Sequence, residues 1–449
     1  MSKNNILEYI ESHKDEFITF FQKLIQTDSY NPPGNEKNLA IEIENYLTQD
    51  NLRCDVFEFE HNRANLIAYL HDDFSQKNLL FNGHMDIVPA GNEGDWKYPP
   101  LSAHNKRNKY IYGRGAADMK GGLTAMIIAL KILKELQFEV NGNLILNAVA
   151  DEETGGSMGT EWSINEQLKD INVDFAIVGE PTGLNPLPKA IILGERGHLQ
   201  LKIIANGVSC HASMPNMGKN AIMMLTKLIQ HINEIDDRIP EIKPPLSIKE
   251  LKELISASFP SKDIFERILE DQELLRSLLN SLTTFTKSVT MIEGGIKENV
   301  VPDKCECIID FRLLPRQNPK YIINVLKDLV SDLGLIFNEE NEKTGKEPNI
   351  QFEIFHESEG SYWEEWRESK PLTNFYEIVE NVYKKKPFYL LYPACADAHY
   401  LRNTGYCENT ILFGPGSAAT AHSVDEFIEV EDFLNAIRVY TLFAYEFLK

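Results

Sequence analysis

The stretch NLLFNGHMDIVPAG, residues 78–91, decides how the rest of the chain is read. Residues 78–82 are mostly apolar and are stopped by Gly83, the pattern of a buried strand opening into a loop. His84 and Asp86 follow two apart at the strand's exit, so their side chains point the same way while the backbone stays extended. Asp86 can ligate a cation, but the reading preferred is that it accepts the other ring N–H of His84 and fixes the tautomer. Alone, the pair is equally a loop histidine beside a turn aspartate, and its meaning depends on what else converges.

Four further segments repeat the arrangement. In YGRGAADMKGGLTAMIIALKIL, residues 112–133, Asp118 sits on a glycine-flanked loop ahead of an apolar run of helical length, where a carboxylate can bridge two cations. In NLILNAVADEETGGSMGT, a strand-like run from Leu144 to Ala150 ends in Glu152 and Glu153. Adjacent side chains at a strand exit diverge, so one can bind metal while the other faces an attacking water. DFAIVGEPTG places Glu180 after the run Phe175 to Val178, and TILFGPGSAATAHSVDEF places His422 after a strand and a Gly-Pro-Gly turn. Singly, these are helix-start, acidic-turn and structural residues. Together, two imidazoles and several carboxylates form the donor set of a site for two zinc-like ions, and a hydrolase is expected.

At 449 residues the chain exceeds the size of one usual core, so two domains are expected. A formal net charge of −22 argues against nucleic acid or an anionic membrane surface as partner. The opening MSKNNILEYIESHKDEF reads as an acid-bearing amphipathic helix rather than a signal peptide, and no apolar run reaches the ~18–20 residues of a membrane span. The six cysteines show no paired framework, which fits reduced thiols in a cytoplasmic protein. Cys305 and Cys307 alternate with Glu306 in a strand-like run and read as core or cross-strand residues.

Residues 1–194 alternate helices (5–26, 36–49, from 121) with strands (53–59, 63–70, 78–82), the pattern of an α/β sheet with helices on both faces. Ligands then fall at strand C-terminal ends. From 195 the order becomes strand 198–206, helix 219–235, strands 286–296 and 305–314, helix 320–333 and strand 349–355, which is ferredoxin-like. The fold expected is a mixed-sheet catalytic domain, 1–194 and 360–449, with an inserted α+β lid and dimerisation domain, 195–359, itself carrying a helical insertion at 237–285 of unassigned purpose.

GHMDIVP, YGRGAADMKGG, DEETGG, GEPT, CHASMPNMGKNAI, ENVVPDKC with DFRLLP, and GPGSAATAHSVDEF occur in the order found in the dinuclear zinc aminoacylase and carboxypeptidase family, which this chain resembles over most of its length. The family includes acetylornithine deacetylase and succinyl-diaminopimelate desuccinylase. The resemblance implies two divalent ions, zinc or cobalt. One would be held by His84, Asp118 and Glu180, the other by Asp118, Glu153 and His422, with Asp86 orienting His84 and Glu152 as general base. It implies that His211 reaches the partner subunit's site in a homodimer and steadies the oxyanion, and that Arg312 and Asn299 recognise substrate. Arg196 in GERG is a weaker candidate.

Where the family often has a Gly-rich Thr-Asp-Ala-Arg motif, this chain has ACADAHYL, keeping Asp397 but placing His399 at the arginine position. The Gly-Pro-Gly turn resembles the acetylornithine deacetylase branch. The activity expected is hydrolysis of the amide bond of an N-acyl amino acid, with Glu152 shuttling the proton of a metal-activated water. A metallo-exopeptidase acting on dipeptides is the alternative, and a non-catalytic binding module on the same fold a third reading, against which every expected ligand and the base are present.

Overall fold

The structure, a computed structural model, describes residues 3–138, 140–338 and 347–449. Helix α1 (Lys3–Gln26) and α2 (Glu36–Thr48) precede strands β1 (Arg53–Glu60), β2 (Arg63–Tyr69) and β3 (Asn78–His84). Helix α3 (Gly121–Glu135), β4 (Asn143–Val149), β5 (Phe175–Val178) and β6 (Ala190–Glu195) follow. The chain then enters a second sheet built from β7 (Gly197–Asn206), β8 (Thr286–Gly294), β9 (Lys304–Leu313) and β10 (Asn349–Ser358). It returns through β11 (Ser361–Tyr362), β12 (Phe388–Tyr392) and β13 (Thr410–Leu412) to a final helix, Val430–Phe447.

The large sheet runs β1-β2-β4-β3-β5-β13-β6, with β11 and β12 also paired to β6. It is mixed, because β1, β2 and β4 pair antiparallel whereas β4, β3, β5 and β13 run parallel. Its strands bury both faces in alternation: Leu79 and Phe81 of β3 join one core with α1, α3 and the last helix, while Leu80 joins the other. Helix α3 is buried almost all round, and this explains why its sequence is apolar on every face. Parallel register brings the C-terminal ends of β4, β3, β5 and β13 to one level, with His84 opposite Val149 and Asn82 opposite Val178. Four chain segments therefore leave the sheet at one edge, where an open α/β sheet presents its chemistry.

The second sheet is antiparallel in the order β8-β9-β7-β10, the ferredoxin-like arrangement. Leu199, Leu201 and Ile203 of β7 and Cys305, Cys307, Ile309 and Phe311 of β9 pack under helices α4 (Ala221–Gln230) and Pro319–Asp332. The cysteines are thus core residues, as alternation predicts, and no disulfide joins any of the six. The intervening residues His198, Gln200, Asp310 and Arg312 alternate onto the opposite face. The helix expected over 219–235 starts only at Ala221, because the Asn220 side chain caps the Met223 N–H and Lys219 is drawn into a bridge with Val208. It ends at Gln230, short of the expected Ile235.

The 237–285 stretch folds as three short helices, Ile248–Ser256, Lys262–Asp271 and Glu273–Ser281. Although they interrupt the second sheet's sequence, their apolar residues Leu251, Ile255, Phe265 and Leu279 pack with Ile192, Phe388 and Leu390 of the large sheet. The Ser258 hydroxyl donates to the Pro387 carbonyl at 2.7 Å. The insertion is a cover for the β6–β12 end of the large sheet.

Gly122 and Gly414 close on the peptide that carries Glu180: a Cβ at either would lie 1.9 Å and 2.1 Å from the Gly179 carbonyl oxygen. Gly122→Ala is therefore expected to cost about 1–3 kcal/mol of folding stability, read by urea denaturation; an unchanged midpoint would show that the contact has slack.

Candidate metal centre

Each element end contributes one donor. His84 closes β3, and its Nε2 lies 3.1 Å from Asp118 Oδ1 and 3.6 Å from Glu180 Oε1. On the other side of the same aspartate, His422 Nε2 lies 3.2 Å from Asp118 Oδ2 and 3.1 Å from Glu153 Oε2. Two triads, His84–Asp118–Glu180 and Asp118–Glu153–His422, thus share one carboxylate that offers an oxygen to each. Glu152 belongs to neither triad; its nearer carboxylate oxygen is 4.0 Å from His84 Nε2, and it lines the cavity beside them.

Asp86 does something different from the role expected of its side chain. The ring nitrogen Nδ1 of His84 is 2.9 Å from the Asp86 backbone carbonyl and 3.6 Å from its carboxylate. The main chain therefore orients the imidazole. The carboxylate instead accepts the backbone N–H of Glu152 at 3.2 Å and of Glu153 at 3.1 Å, together with the Asn31 amide at 2.9 Å. It fixes the turn that presents the two glutamates. Extended geometry at residues 84–86 indicated a shared direction, but the backbone carbonyl lies nearer the ring.

Burial shapes the electrostatics. It raises the Glu152 and Glu180 carboxyls well above the ordinary carboxylate range, and their acidic neighbours add to the effect. Burial would raise Asp118 too, yet the two imidazoles hold it below its usual value. His422 is pushed up to about 10 by hydrogen bonding to Asp118 and Glu153. His84 is raised although burial opposes it, because Asp118, Glu152 and Glu180 surround it. Four carboxyl groups crowd two imidazoles, and burial favours the protonated forms of Glu152 and Glu180 unless a cation takes the place of their protons. Glu180 Oε1 is the clearest case: buried, and without a hydrogen-bond partner among the described residues. Such an oxygen suits a cation, and His–carboxylate–carboxylate donor sets suit zinc-like ions.

A cavity of about 510 Å³ opens from Glu152, Glu153 and His422 to the polar face of the second sheet, where His198, Gln200, Arg312 and His356 line it. Arg312 is braced there, its Nε and Nη2 donating to Asp310 at 2.8 and 3.2 Å, while His198 Nε2 lies 2.8 Å from the same carboxylate. Asp310 was legible as the same-face neighbour of Arg312 in DFR, whereas His198 joins it only through cross-strand register. Arg196 is spent on the Thr284 and Arg312 carbonyls and the Thr286 hydroxyl, and holds the strand end that carries Arg312. His399 is buried in the cavity wall with Nδ1 2.7 Å from the Ala396 carbonyl, and Asp397 Oδ2 accepts the Asn82 amide at 3.2 Å. His211 and Asn299 stand apart from this cavity in the same chain. His211 is exposed, its Nδ1 2.7 Å from the Ser213 hydroxyl, and the Asn299 carbonyl accepts the Ala212 N–H.

The sequence pattern of peptidase family M20/M25/M40 matches residues 80–446, a span that contains every residue of both triads. The chain belongs to that family. A probable succinyl-diaminopimelate desuccinylase of Staphylococcus aureus is 27% identical over 420 residues, covering 92% of this chain and 94% of the relative. An M20 metallo-carboxypeptidase of Sulfolobus solfataricus shares the fold with TM-score 0.77 and 23% identity, covering 96% and 98% of the two chains. Human carnosine dipeptidase 1 does so with TM-score 0.75 and 17% identity, covering 99% and 98%. This M20 protein is accordingly a metal-dependent hydrolase of amide or peptide bonds.

Both imidazoles must be neutral to bind a cation, so protons compete with metal. Apparent affinity for an ion at Asp118, Glu153 and His422 is expected to rise with pH until about 10, the value to which His422 is pushed. Calorimetric titration of zinc at pH 7.5 in buffers of different ionisation heat should register proton release; zero release would contradict the protonated imidazoles.

Proposed function

We propose that this M20 protein is a two-zinc hydrolase, active also with cobalt, that cleaves the amide bond of an N-acyl amino acid. The observation that carries the reading is the shared Asp118 between two triads, with the unligated Glu152 facing the cavity beside them. Bound zinc would acidify a water and polarise the scissile carbonyl. Glu152, with a carboxyl raised by burial, is suited to accept the water's proton and return it to the leaving nitrogen. Arg312, with one guanidinium edge held by Asp310, has its remaining N–H groups for the substrate carboxylate. The desuccinylase likeness supports deacylation. The carboxypeptidase and dipeptidase likenesses support the second reading, an exopeptidase using the same site.

Residues 195–359 serve in this reading as a lid and dimerisation domain on the catalytic residues 1–194 and 360–449. The outer edge of β8 pairs with no strand among the described residues and exposes Val289, Met291 and Ile292, and the same domain also exposes Met214, Met217 and Met223. An open apolar edge of this kind favours pairing with a second copy. His211 and Asn299, exposed on the same domain, would then be offered to the partner's cavity, where a donor is needed for the developing oxyanion. Free thiols and the absence, among the described residues, of a helix long and apolar enough to cross a membrane are compatible with a cytoplasmic location.

Glu152→Gln is expected to keep two zinc ions per chain while kcat falls by about 10²–10⁴; undiminished turnover would remove the base assignment. Amine release from acetyl-ornithine, other N-acyl amino acids and dipeptides, assayed with zinc and cobalt, separates the two readings, and preference for dipeptides would favour the exopeptidase. Met291→Asp in the β8 edge is expected to shift sedimentation from dimer to monomer; a monomeric native protein would overturn the dimer.

A further inference from the structure

Arg114 and Glu426 form a buried ion pair at 2.7 Å that touches neither the cavity nor either triad's donor atoms. The Glu426 carboxylate is surrounded by donors. One oxygen accepts the N–H groups of Ala117 at 2.8 Å and Asp118 at 3.1 Å; the other accepts Gly115 N–H at 3.1 Å and the Arg114 guanidinium. Arg114 reaches the other way, donating to the carbonyls of Ser423 at 3.2 Å and His422 at 3.4 Å. One carboxylate thus grips the loop that carries Asp118, one guanidinium grips the loop that carries His422, and the two grip each other. A short ladder, Tyr110–Tyr112 against Phe427–Glu429, and the Gly113 N–H to the Glu426 carbonyl at 2.9 Å complete the joint.

We propose that Arg114 and Glu426 are positioning residues that set the spacing of Asp118 and His422 before any cation arrives. The proposal rests on the reading of those two residues as ligands. Neither is held by regular structure: Asp118 has non-helical φ −116° and ψ 100°, and His422 lies at φ 59° in the left-handed region with its side chain 52% exposed. His84, by contrast, ends a paired strand, and Glu180 follows one. An ion held by Asp118, Glu153 and His422 would therefore depend on the clamp more than one held by His84, Asp118 and Glu180. The attraction between the two charges gives weak reason for the pair, because apolar residues often replace an isolated buried ion pair without loss; the backbone groups that it satisfies give a stronger one. A carboxylate that organises three amides and a guanidinium gives a geometric one.

Hydrogen exchange on the full chain, stripped by chelator and then reloaded with zinc, tests this without a variant. The amides of Gly115, Ala117 and Asp118 are expected to exchange slowly in the stripped protein and no more slowly after loading. Rapid exchange that becomes slow only with zinc would overturn the clamp, since the metal would then be organising the loop. In the paired replacement Arg114→Met with Glu426→Leu, one zinc should bind with near-native affinity and the other about 10–100-fold more weakly, read by competition with a chromophoric chelator. Native affinity for both ions would also overturn it, and if that variant does not fold the exchange result decides. A wild-type chain that binds fewer than two zinc ions would instead defeat the ligand reading, an outcome distinct from one that binds two while its loop exchanges freely.

Discussion

One buried carboxylate facing two imidazoles from opposite sides is the constraint around which this fold is arranged. Asp118 lies within 3.2 Å of both His84 and His422, residues separated by more than three hundred positions in sequence. Bringing them together requires four parallel strands whose C-terminal ends lie level, a glycine-lined approach at Gly122 and Gly414, and a loop for Asp118 that packs against the start of a helix buried almost all round. The remaining carboxylates crowd beside Asp118, Glu180 buried and Glu152 and Glu153 half-buried at the cavity wall. Burial and their mutual repulsion raise the carboxyls of Glu152 and Glu180, and a cation between them would relieve both in place of those protons. Metal affinity and fold are in this sense two aspects of one arrangement.

The second sheet supplies what the metal centre lacks. Alternation along β7 and β9 sends Leu199 and Phe311 into a core and His198, Asp310 and Arg312 toward the cavity, so a donor-rich wall faces an acid-rich one across about 510 Å³. Asp310 is held down to about 2: burial opposes this, but His198 and Arg312 outweigh it, and the carboxylate stays charged to brace the guanidinium. A small substrate carrying a carboxylate and an amide matches that polarity from end to end.

Much of this was legible in the sequence because both periodicities are strong. The runs Phe175–Val178 and Leu79–Phe81 are apolar because those strands are buried on two faces, and the acids after them mark the functional edge. The ferredoxin-like order followed from alternation in residues 198–206 and 305–314, with the helices between. What could not be read depended on contacts remote in sequence or on backbone rather than side-chain atoms. The Asp86 carboxylate turned to two amides because a nearer carbonyl already served His84. The helices of 237–285 are amphipathic, and periodicity says that they cover something without saying which sheet. The brace between His198 and Asp310 exists only through strand register, and the grip of Glu426 on three amides has no side-chain signature at all.

Anomalous scattering at the zinc edge, from crystals grown with zinc, examines the shared carboxylate most directly. The account predicts two peaks roughly 3.5–4 Å apart, one on each side of Asp118, with Glu152 bound to neither. A single peak, or a pair that does not flank Asp118, would contradict it.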